Sequence, residues 1–348
     1  MNNLHLLTDQ RWSPSHRVGY RASVSHMAWI AGAMMLSIVA KPGVAQTIAE
    51  RTAAATTTST TAAACTALPK FYWEIGDGSG ALASGTYGTS PPTATTQMNI
   101  YSASKWIYGA YVYQLRGGVL SSADLRSVRM SDGYTQTSAC ILSSTVGACQ
   151  SNMGVQSAAD VDKFYYASGH FQKHAAVDLG LASKTRATLA TEIHSYLGND
   201  WTFTYARTDL AGGGNTSAAD YGTFLRKMLN GTVLLSGGAL GSDAVCTYTG
   251  ATDPVTGRVN CASSSYSPNG EAWNYSIGHW VESDPVWLAG GGDAAYSSPG
   301  LAGFYPWIDA SRTYYGVLAR IDLTANAGGA STACGRLIRK AWLTATPQ

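Results

Sequence analysis

The sequence predicts an α/β fold with an additional all-α part, in which N- and C-terminal helices flank one antiparallel sheet and a helical lobe interrupts its strands. A strand pair around a glycine-rich turn comes first along the chain. Helical patterns then fill most of residues 120–235, and strand patterns return before one last amphipathic helix. Elements in this order indicate a single sheet with helices packed against it.

The first strands are predicted in residues 71–88, where the sequence is FYWEIGDGSGALASGTYG. Two strand-like runs flank the turn Gly76–Gly80, because glycine and aspartate favour tight turns. The turn lacks the Gly-Lys-Ser/Thr of a phosphate-binding loop and precedes another strand instead of a helix. It therefore indicates a hairpin.

Helical spacing begins after residue 100. Ile107, Ala110, Tyr111 and Gln114 recur three or four residues apart, and two glycines at 117–118 provide a C-cap. Capping residues and apolar periodicity predict three further helices, in LSSADLRSV, SKTRATLATEIHSYL and SAADYGTFLRKMLNG. The segments NYSIGHWV, GFYPWID and TYYGVLARIDL alternate like strands, and ACGRLIRKAWL predicts the terminal helix.

The N-terminal region has the pattern of a secretory signal peptide. Three arginines precede the uncharged run Met27–Ala40, and small residues follow. This run is shorter than the roughly 20 residues that span a bilayer, so no stable membrane anchor is expected. The alternative is an apolar helix of the fold itself. We predict that residues 1–45 are removed by cleavage near Ala45 and that the mature protein is secreted or periplasmic.

A Thr/Ala-rich tract follows this leader. Residues 46–66 include RTAAATTTSTTAAACT, which has no apolar period, and they are predicted to form a flexible linker with order beginning near Cys65. Residues 67–348 then form one domain, with its helical lobe at about 120–235. The formal net charge of +2 is nearly neutral, so neither nucleic acid nor an anionic membrane surface is an expected partner.

The six cysteines agree with export, because disulfides persist in oxidising compartments. Six cysteines allow fifteen connectivities. Spacing favours two local pairs, Cys140–Cys149 and Cys246–Cys261, which leaves Cys65 to pair with Cys334 in the last helix. The sequence contains no Cys-x-x-Cys or paired Cys/His spacing, so no metal is expected. No organic cofactor is expected either.

The strongest chemical motif is YSASKW at residues 101–106. Residues three apart on a helix lie on one face, so Ser102 and Lys105 can touch. A serine hydroxyl becomes a nucleophile when a base takes its proton, and burial helps to keep a lysine neutral for that role. A serine in the first turn also places its own N–H where an oxyanion is stabilised. The alternative is a capping serine and a solvated lysine, but the apolar helix favours a buried lysine.

Four features in this order resemble the serine β-lactamase and penicillin-binding-protein superfamily, and most closely its branch of class C β-lactamases, D-Ala-D-Ala carboxypeptidases and related esterases. They are the strand pair before the Ser102-x-x-Lys105 helix, the segment Phe164–Ser168, LAGGGNTSAADYGTFLRKMLNG at 210–231, and SSPGLAGFYPWIDASRTYYGVLAR at 297–320. The resemblance covers roughly residues 68–345 and implies the β-lactamase/transpeptidase-like fold.

The resemblance also implies roles for individual residues. Ser102 would be acylated, Lys105 would share its proton, and Tyr166 would assist proton transfer to the leaving group. Tyr165 is the alternative phenol if the alignment is one residue off. The alternative for Tyr166 is a half-buried core aromatic.

The implied substrate contacts depart from the family pattern. Ser168 stands where asparagine is usual, which weakens a contact to a substrate amide. Ser298-Pro299-Gly300 occupies the place of Lys-Thr-Gly, so the cation that holds a substrate carboxylate is missing. Gly300 would let the substrate approach the strand, and the N–H of Leu301 would join that of Ser102 in an oxyanion hole. The departures favour a neutral ester or amide over a β-lactam.

The remaining candidates are two histidines and two aspartates. His170, four residues after Tyr166, is expected either to be structural or to hold the residues of the site in place. His279 is predicted to be a strand residue, and the sequence has no Gly-x-Ser-x-Gly elbow of an α/β-hydrolase triad. Asp220 is predicted at a helix start and Asp309 in a turn.

The sequence therefore predicts a serine hydrolase that forms an acyl-enzyme on Ser102. Its expected partner is a small-molecule ester, amide or peptide, with ester hydrolysis first, amide or D-amino-acid peptide hydrolysis next and β-lactam hydrolysis third. One competing hypothesis is a non-catalytic protein of the same fold that binds cell-wall or polymer fragments. The other is an exported structural domain in which the spacing of Ser102 and Lys105 is coincidental.

Overall fold

The computed structural model describes residues 46–283 and 293–348 of the chain. The predicted signal peptide, residues 1–45, lies outside the described residues. In the described part of the chain, no helix is long and apolar enough to cross a membrane.

An antiparallel sheet forms the centre of the domain. Eight described strands cross it in the order β2-β1-β11-β10-β9-β8-β7-β6. Their bounds are β1 Lys70–Asp77, β2 Ala81–Gly88, β6 Val245–Cys246, β7 Asn274–Tyr275, β8 Trp280–Val281, β9 Tyr296–Ser297, β10 Tyr305–Ile308 and β11 Tyr314–Ala319. The strands β1 and β2 are the predicted hairpin. Trp73 of β1 lies opposite Gly85 of β2 on one side and Leu318 of β11 on the other, so the last described strand pairs with the first described one.

The terminal helices pack together on the sheet. They are α1 (Ile48–Thr61), α2 (Ala63–Thr66) and α9 (Ala327–Thr344). A buried apolar cluster joins them to the strands and includes Ala55, Phe71, Trp73, Trp307 and Trp342. This arrangement confirms the predicted fold class, with helices from both ends of the domain flanking an antiparallel sheet.

The prediction of a flexible linker at residues 46–66 is wrong. Thr47 and Glu50 form a reciprocal capping box at the start of α1. The Nη1 of Arg51 donates a 2.6 Å hydrogen bond to the carbonyl oxygen of Trp342 in α9. Ala54 and Ala55 are buried. Alanine has a high helix propensity, and packing against α9 supplies the stability that an isolated helix of this length lacks.

The helical lobe contains more than helices. The helix α3 (Ser104–Leu115) precedes the lobe. The α-helices of the lobe are α4 Ser122–Val128, α5 Val146–Gln150, α6 Gly169–Lys173, α7 Arg186–Leu197 and α8 Ala218–Leu229. A small sheet that the sequence did not predict joins β3 (Met98–Asn99), β5 (Gly214–Thr216) and β4 (Phe203–Tyr205) in that order. Because β3 ends just before Ser102, this sheet fixes where the following turn begins.

Three disulfides join the pairs that spacing favoured. The Cα atoms are 4.7 Å apart in Cys65–Cys334, 5.2 Å in Cys140–Cys149 and 5.8 Å in Cys246–Cys261. The first pair links α2 to α9 and so ties the two ends of the domain together. The second closes a short loop beside the cavity described below.

Candidate active site

Ser102 lies in a 3₁₀ turn, Tyr101–Ala103, immediately before α3. Tyr101 has a φ of +47°, in the left-handed region that residues other than glycine rarely adopt. Its neighbours hold this conformation: the Oγ of Ser104 donates to the carbonyl of Tyr101 at 2.6 Å and accepts from the N–H of Gly214 at 3.0 Å. Such strain persists where surrounding contacts enforce it and is concentrated at functional sites.

Lys105 lies one helical turn after Ser102. Its Nζ is 2.9 Å from the Oγ of Ser102 and 2.9 Å from the carbonyl oxygen of Ala211. Burial lowers the pKa of Lys105 to about 8, although the nearby Asp209 opposes this shift. Lys227 is also buried, but its ammonium pairs with the carboxylate of Asp200. Lys105 instead contacts a hydroxyl and a carbonyl, which is an environment suited to a lysine that loses its proton.

The ring of Tyr166 lies over Lys105, with Nζ 4.7 Å from the ring centre. Tyr266 and Trp280 stack on the same ring, with centres 4.5 and 5.3 Å away. Burial raises the pKa of the Tyr166 phenol to about 12, and hydrogen bonds with Ser102 and Trp280 partly offset this shift. The phenol is therefore protonated at neutral pH and can donate a proton.

Of the two candidate phenols, Tyr166 is the one that lines the cavity beside Ser102. The main chain of Tyr165 is held elsewhere. Its N–H donates to the carbonyl of Met130 at 2.9 Å, and its carbonyl oxygen lies 2.9 Å from the Nε2 of His170. The geometry therefore agrees with the alignment that places Tyr166, and not Tyr165, at the position of the phenol.

Ser102, Lys105 and Tyr166 line one cavity of about 480 Å³. Its other walls come mainly from residues 137–141, from residues 207–212, and from Tyr266 and Leu301. A cavity of this size accommodates a small organic ligand. Within residues 46–283 and 293–348, no cluster of His, Cys, Asp and Glu side chains could hold a metal ion.

Comparisons by sequence find no matching family model and no matching curated protein. Comparisons by structure do find relatives. A D-stereospecific amidohydrolase from Streptomyces sp. superposes with a TM-score of 0.54 over 86% of this chain and 100% of that chain, at 10% identity. FmtA from Staphylococcus aureus superposes with a TM-score of 0.54 over 81% of this chain and 86% of that chain, at 12% identity. A β-lactamase from Mycobacterium bovis superposes with a TM-score of 0.50 over 78% of this chain and 96% of that chain, at 12% identity.

The chain has the serine β-lactamase fold. The superpositions span most of both chains in each comparison, so the likeness concerns the whole domain and not one motif. The fold that the sequence motifs implied is thereby confirmed. In this fold, three distant parts of the sequence are brought together: the Ser102 turn, Tyr166 and the segment Ser298–Gly300, which is called the third motif below.

The third motif of the β-lactamase fold lies directly behind Ser102. The Oγ of Ser298 donates a 3.0 Å hydrogen bond to the carbonyl oxygen of Ser102, and Ser298 is only 2% exposed. Its hydroxyl is therefore used inside the protein, and the expected contact of Ser298 with substrate is not what the geometry provides. Leu301 does line the cavity, and 65% of this residue is exposed.

Gly300 packs closely against the segment that precedes Ser102. A Cβ at this position would overlap the carbonyl oxygen of Ile100, just before the Ser102 turn. The N–H of Gly300 also donates to the carbonyl of Phe304 at 2.7 Å. The glycine thus permits close packing between the third motif and the segment before Ser102.

Ser168 lines the cavity, but its hydrogen bonds go to the neighbouring loop. Its N–H donates to the Oγ1 of Thr137 and its Oγ accepts from the N–H of Ser138, both at 3.3 Å. Behind it, His170 is fully buried, with Nδ1 against the carboxylate of Asp132. His170 therefore supports the main chain before Tyr166 instead of touching Ser102.

The other sequence candidates have structural positions. His279 stacks against Trp106, with ring centres 5.3 Å apart, and both of its ring nitrogens bond to main-chain groups. Burial lowers the pKa of His279 to about 4, so it is neutral. Asp220 accepts hydrogen bonds at the start of α8, and Asp309 accepts them in the turn between β10 and β11.

Sequence reasoning missed Arg207 and Asp209, which line the cavity near Lys105. Burial raises the pKa of the Asp209 carboxyl, while Lys105 and main-chain N–H groups oppose this shift. The Cζ of Arg207 is 5.6 Å from the centre of the Tyr101 ring, and its Nη2 donates to the carbonyl of Gly212 at 2.8 Å. The available signal was their position immediately before the LAGGG stretch.

Proposed function

We propose that the chain is an exported serine hydrolase that cleaves a carboxylic ester or amide through an acyl-enzyme on Ser102. The observation that carries this proposal is the 2.9 Å contact between the Lys105 Nζ and the Ser102 Oγ at the wall of a cavity. A general base must be partly unprotonated at the working pH. A pKa of about 8 for Lys105 meets this requirement.

In the acylation step, neutral Lys105 takes the proton of the Ser102 hydroxyl while Oγ bonds to the carbonyl carbon of the substrate. The negative charge that forms on the carbonyl oxygen is stabilised by main-chain N–H donors, for which we propose Ser102 and Leu301. The protonated phenol of Tyr166 gives its proton to the leaving oxygen or nitrogen as that bond breaks. Tyr166 then recovers a proton from the Lys105 ammonium.

In the deacylation step, water attacks the carbonyl carbon of the acyl-enzyme and gives up a proton to the Lys105 and Tyr166 pair. The bond to Ser102 Oγ then breaks, and the pair returns a proton to Oγ. The products are a carboxylic acid and the free enzyme. The two steps need only groups that line the cavity and water.

Ester hydrolysis is our first choice for the substrate class. Amide hydrolysis comes next, and it is supported by the shared fold with the D-stereospecific amidohydrolase and with a D-amino acid amidase from Ochrobactrum anthropi. β-Lactam hydrolysis ranks third, because the third motif offers Ser298 in place of a cation and uses its hydroxyl on Ser102. The competing hypothesis remains a non-catalytic binding protein of the same fold.

The test compares the purified protein with Ser102→Ala and Lys105→Ala, using p-nitrophenyl butyrate and a fluorophosphonate probe. Ser195→Ala is the matched control, because Ser195 is exposed on α7 and bonds only locally, to the carbonyl of Glu192. We expect turnover and labelling in the wild type and control, and loss of both in Ser102→Ala. Labelling that survives in Ser102→Ala would contradict the assigned nucleophile, and an unlabelled wild type would favour the binding protein.

Two further measurements test the remaining parts of the proposal. A chromogenic cephalosporin in the same assay tests the low rank of β-lactams, which rapid hydrolysis would overturn. N-terminal sequencing of the protein recovered from the periplasm or medium of an expressing bacterium tests export. We expect the mature chain to begin close to residue 46, and an intact Met1 in that fraction would argue against a cleaved signal peptide.

A further inference from the structure

A second cavity, of about 1100 Å³, adjoins the cavity that contains Ser102. Ile141 and Arg207 line both cavities. The second cavity lies between the loop that starts at Cys140, the first half of α7 and strand β4. A substrate with its reacting carbonyl at Ser102 can therefore extend past Ile141 and Arg207 into this space.

The charged residues that line the second cavity are Arg186 and Arg207, and its described lining contains no aspartate or glutamate. The Nη1 of Arg186 donates to the carbonyl of Ala206 at 3.1 Å. Arg207 likewise uses Nη2 on the carbonyl of Gly212. In the described part of the chain the buried Nε of Arg207 has no hydrogen-bond partner, and the charge of Arg207 acts to lower the pKa of the Asp209 carboxyl. The second cavity thus has an excess of positive charge, which favours an anionic ligand.

The walls of the second cavity also include apolar surface. Ile141 and Leu142 are 78% and 97% exposed, which is unusual for adjacent aliphatic residues and typical of a binding surface. Trp201 and Phe203 also line this space, although most of each side chain is buried in the core. The disulfide Cys140–Cys149 restrains the loop at its base. Apolar walls with guanidinium groups match an apolar chain that carries a carboxylate.

Building on the proposed function, we propose that the substrate has an elongated acyl chain with a carboxylate beyond its apolar part. The scissile carbonyl lies at Ser102, the chain passes Ile141, and Arg207 binds the carboxylate, with Arg186 receiving it in longer chains. Guanidinium and carboxylate groups form strong, charge-assisted hydrogen bonds. This proposal departs from the neutral substrate expected from the sequence, because Arg207 brings a cation into the cavity from a segment other than the third motif.

The experiment compares two esters that differ in one charge, the mono-p-nitrophenyl ester of suberic acid and its methyl ester at the far carboxyl. The readout is the ratio of kcat/KM for the anionic ester to that for the neutral ester. We expect Arg207→Gln to lower this ratio by about tenfold or more, as expected for the loss of a charged hydrogen bond, and Arg207→Lys to lower it less. Arg258→Gln is the matched control, because Arg258 is exposed and donates to one main-chain carbonyl, that of Asp162.

High salt provides a second measurement. In 0.5 M NaCl the exposed charges are screened, so the wild-type ratio of kcat/KM for the anionic ester to that for the neutral ester should fall. The rate of fluorophosphonate labelling shows whether each variant keeps an intact Ser102 site. An unchanged ratio in an Arg207→Gln variant that still labels would overturn the inference and leave the serine hydrolase intact. Hydrolysis of both esters by Ser102→Ala would instead overturn the proposed function.

Discussion

The hydroxyl of Ser298 donates a 3.0 Å hydrogen bond to the carbonyl oxygen of Ser102, across 196 positions of sequence. Ser102 lies just before α3, and Ser298 directly follows β9 of the eight-stranded sheet. Through this contact the third motif holds the main chain of the proposed nucleophile. Ser298 therefore acts on the Ser102 turn.

Ser298→Ala should destabilise the protein by about 1 kcal/mol, because the part-buried carbonyl of Ser102 loses one hydrogen bond and keeps the one from the N–H of Ser104. We also expect kcat to fall several-fold, since the Ser102 turn is less firmly held, with little change in KM. Chemical denaturation and steady-state kinetics measure these effects. Ser297→Ala is the matched control, because the Oγ of Ser297 is buried with no partner in the described part of the chain. Equal losses in both variants would argue against a role for the Ser298 contact.

The activity should depend on the protonation of Lys105. Burial lowers its pKa to about 8, and the neutral form is the base, so kcat/KM should rise with pH and level off above that value. Below it, each pH unit should cost about tenfold in rate. Lys105→Arg should be inactive at every pH because arginine keeps its proton. A profile that is flat from pH 6 to 10, measured with p-nitrophenyl butyrate, would exclude Lys105 as the base.

With an amide substrate, whose leaving nitrogen must gain a proton, Tyr166→Phe should lower kcat by about a hundredfold or more, because a general acid contributes at least that factor. The pKa of about 12 keeps the phenol protonated across the usual pH range, so its own titration should not appear in the profile. Tyr165→Phe is the control, since the contacts of Tyr165 described above are made by its main chain. A larger loss in Tyr165→Phe than in Tyr166→Phe would reverse the assignment of the phenol.

Gly300→Ala should destabilise the protein by about 2 kcal/mol or more, because the added methyl group overlaps the main chain at Ile100. Labelling by the fluorophosphonate should slow as well, since the Ser102 turn must shift. Gly238→Ala is a suitable comparison, because a Cβ there meets open space. Thermal unfolding of the two variants decides the point. Similar stabilities would show that the third motif can move away from Ile100 at little cost.

Most elements of the fold could be predicted because their signals are local. In α8, Ser217 accepts the N–H of Asp220 and the apolar residues follow at helical spacing. The hairpin β1–β2 is similarly defined by its turn between two runs of strand-like residues. The helix α1 escaped prediction because its buried face consists of alanine, threonine and serine, so its burial depends on α9, far away in the sequence.

The strands β4 and β5 could not be predicted for a related reason. Each is three residues long, too short to show a period, and each exists through pairing, with β5 between β3 and β4. The segment that follows β4 carries Arg207 and Asp209 into the cavity. Because these strands were not predicted, the two charged residues that line the cavity together with Lys105 were not predicted either.

By itself, the sequence determined the pair Ser102 and Lys105, because one helical turn brings residues three apart together whatever the rest of the chain does. It also determined the fold class, through the order of its elements. The contact of Ser298 with Ser102, the position of Tyr166 over Lys105 and the entry of Arg207 into the cavity all depend on the tertiary fold. These contacts join segments far apart in sequence, and no local spacing records which distant segment the folded chain brings near.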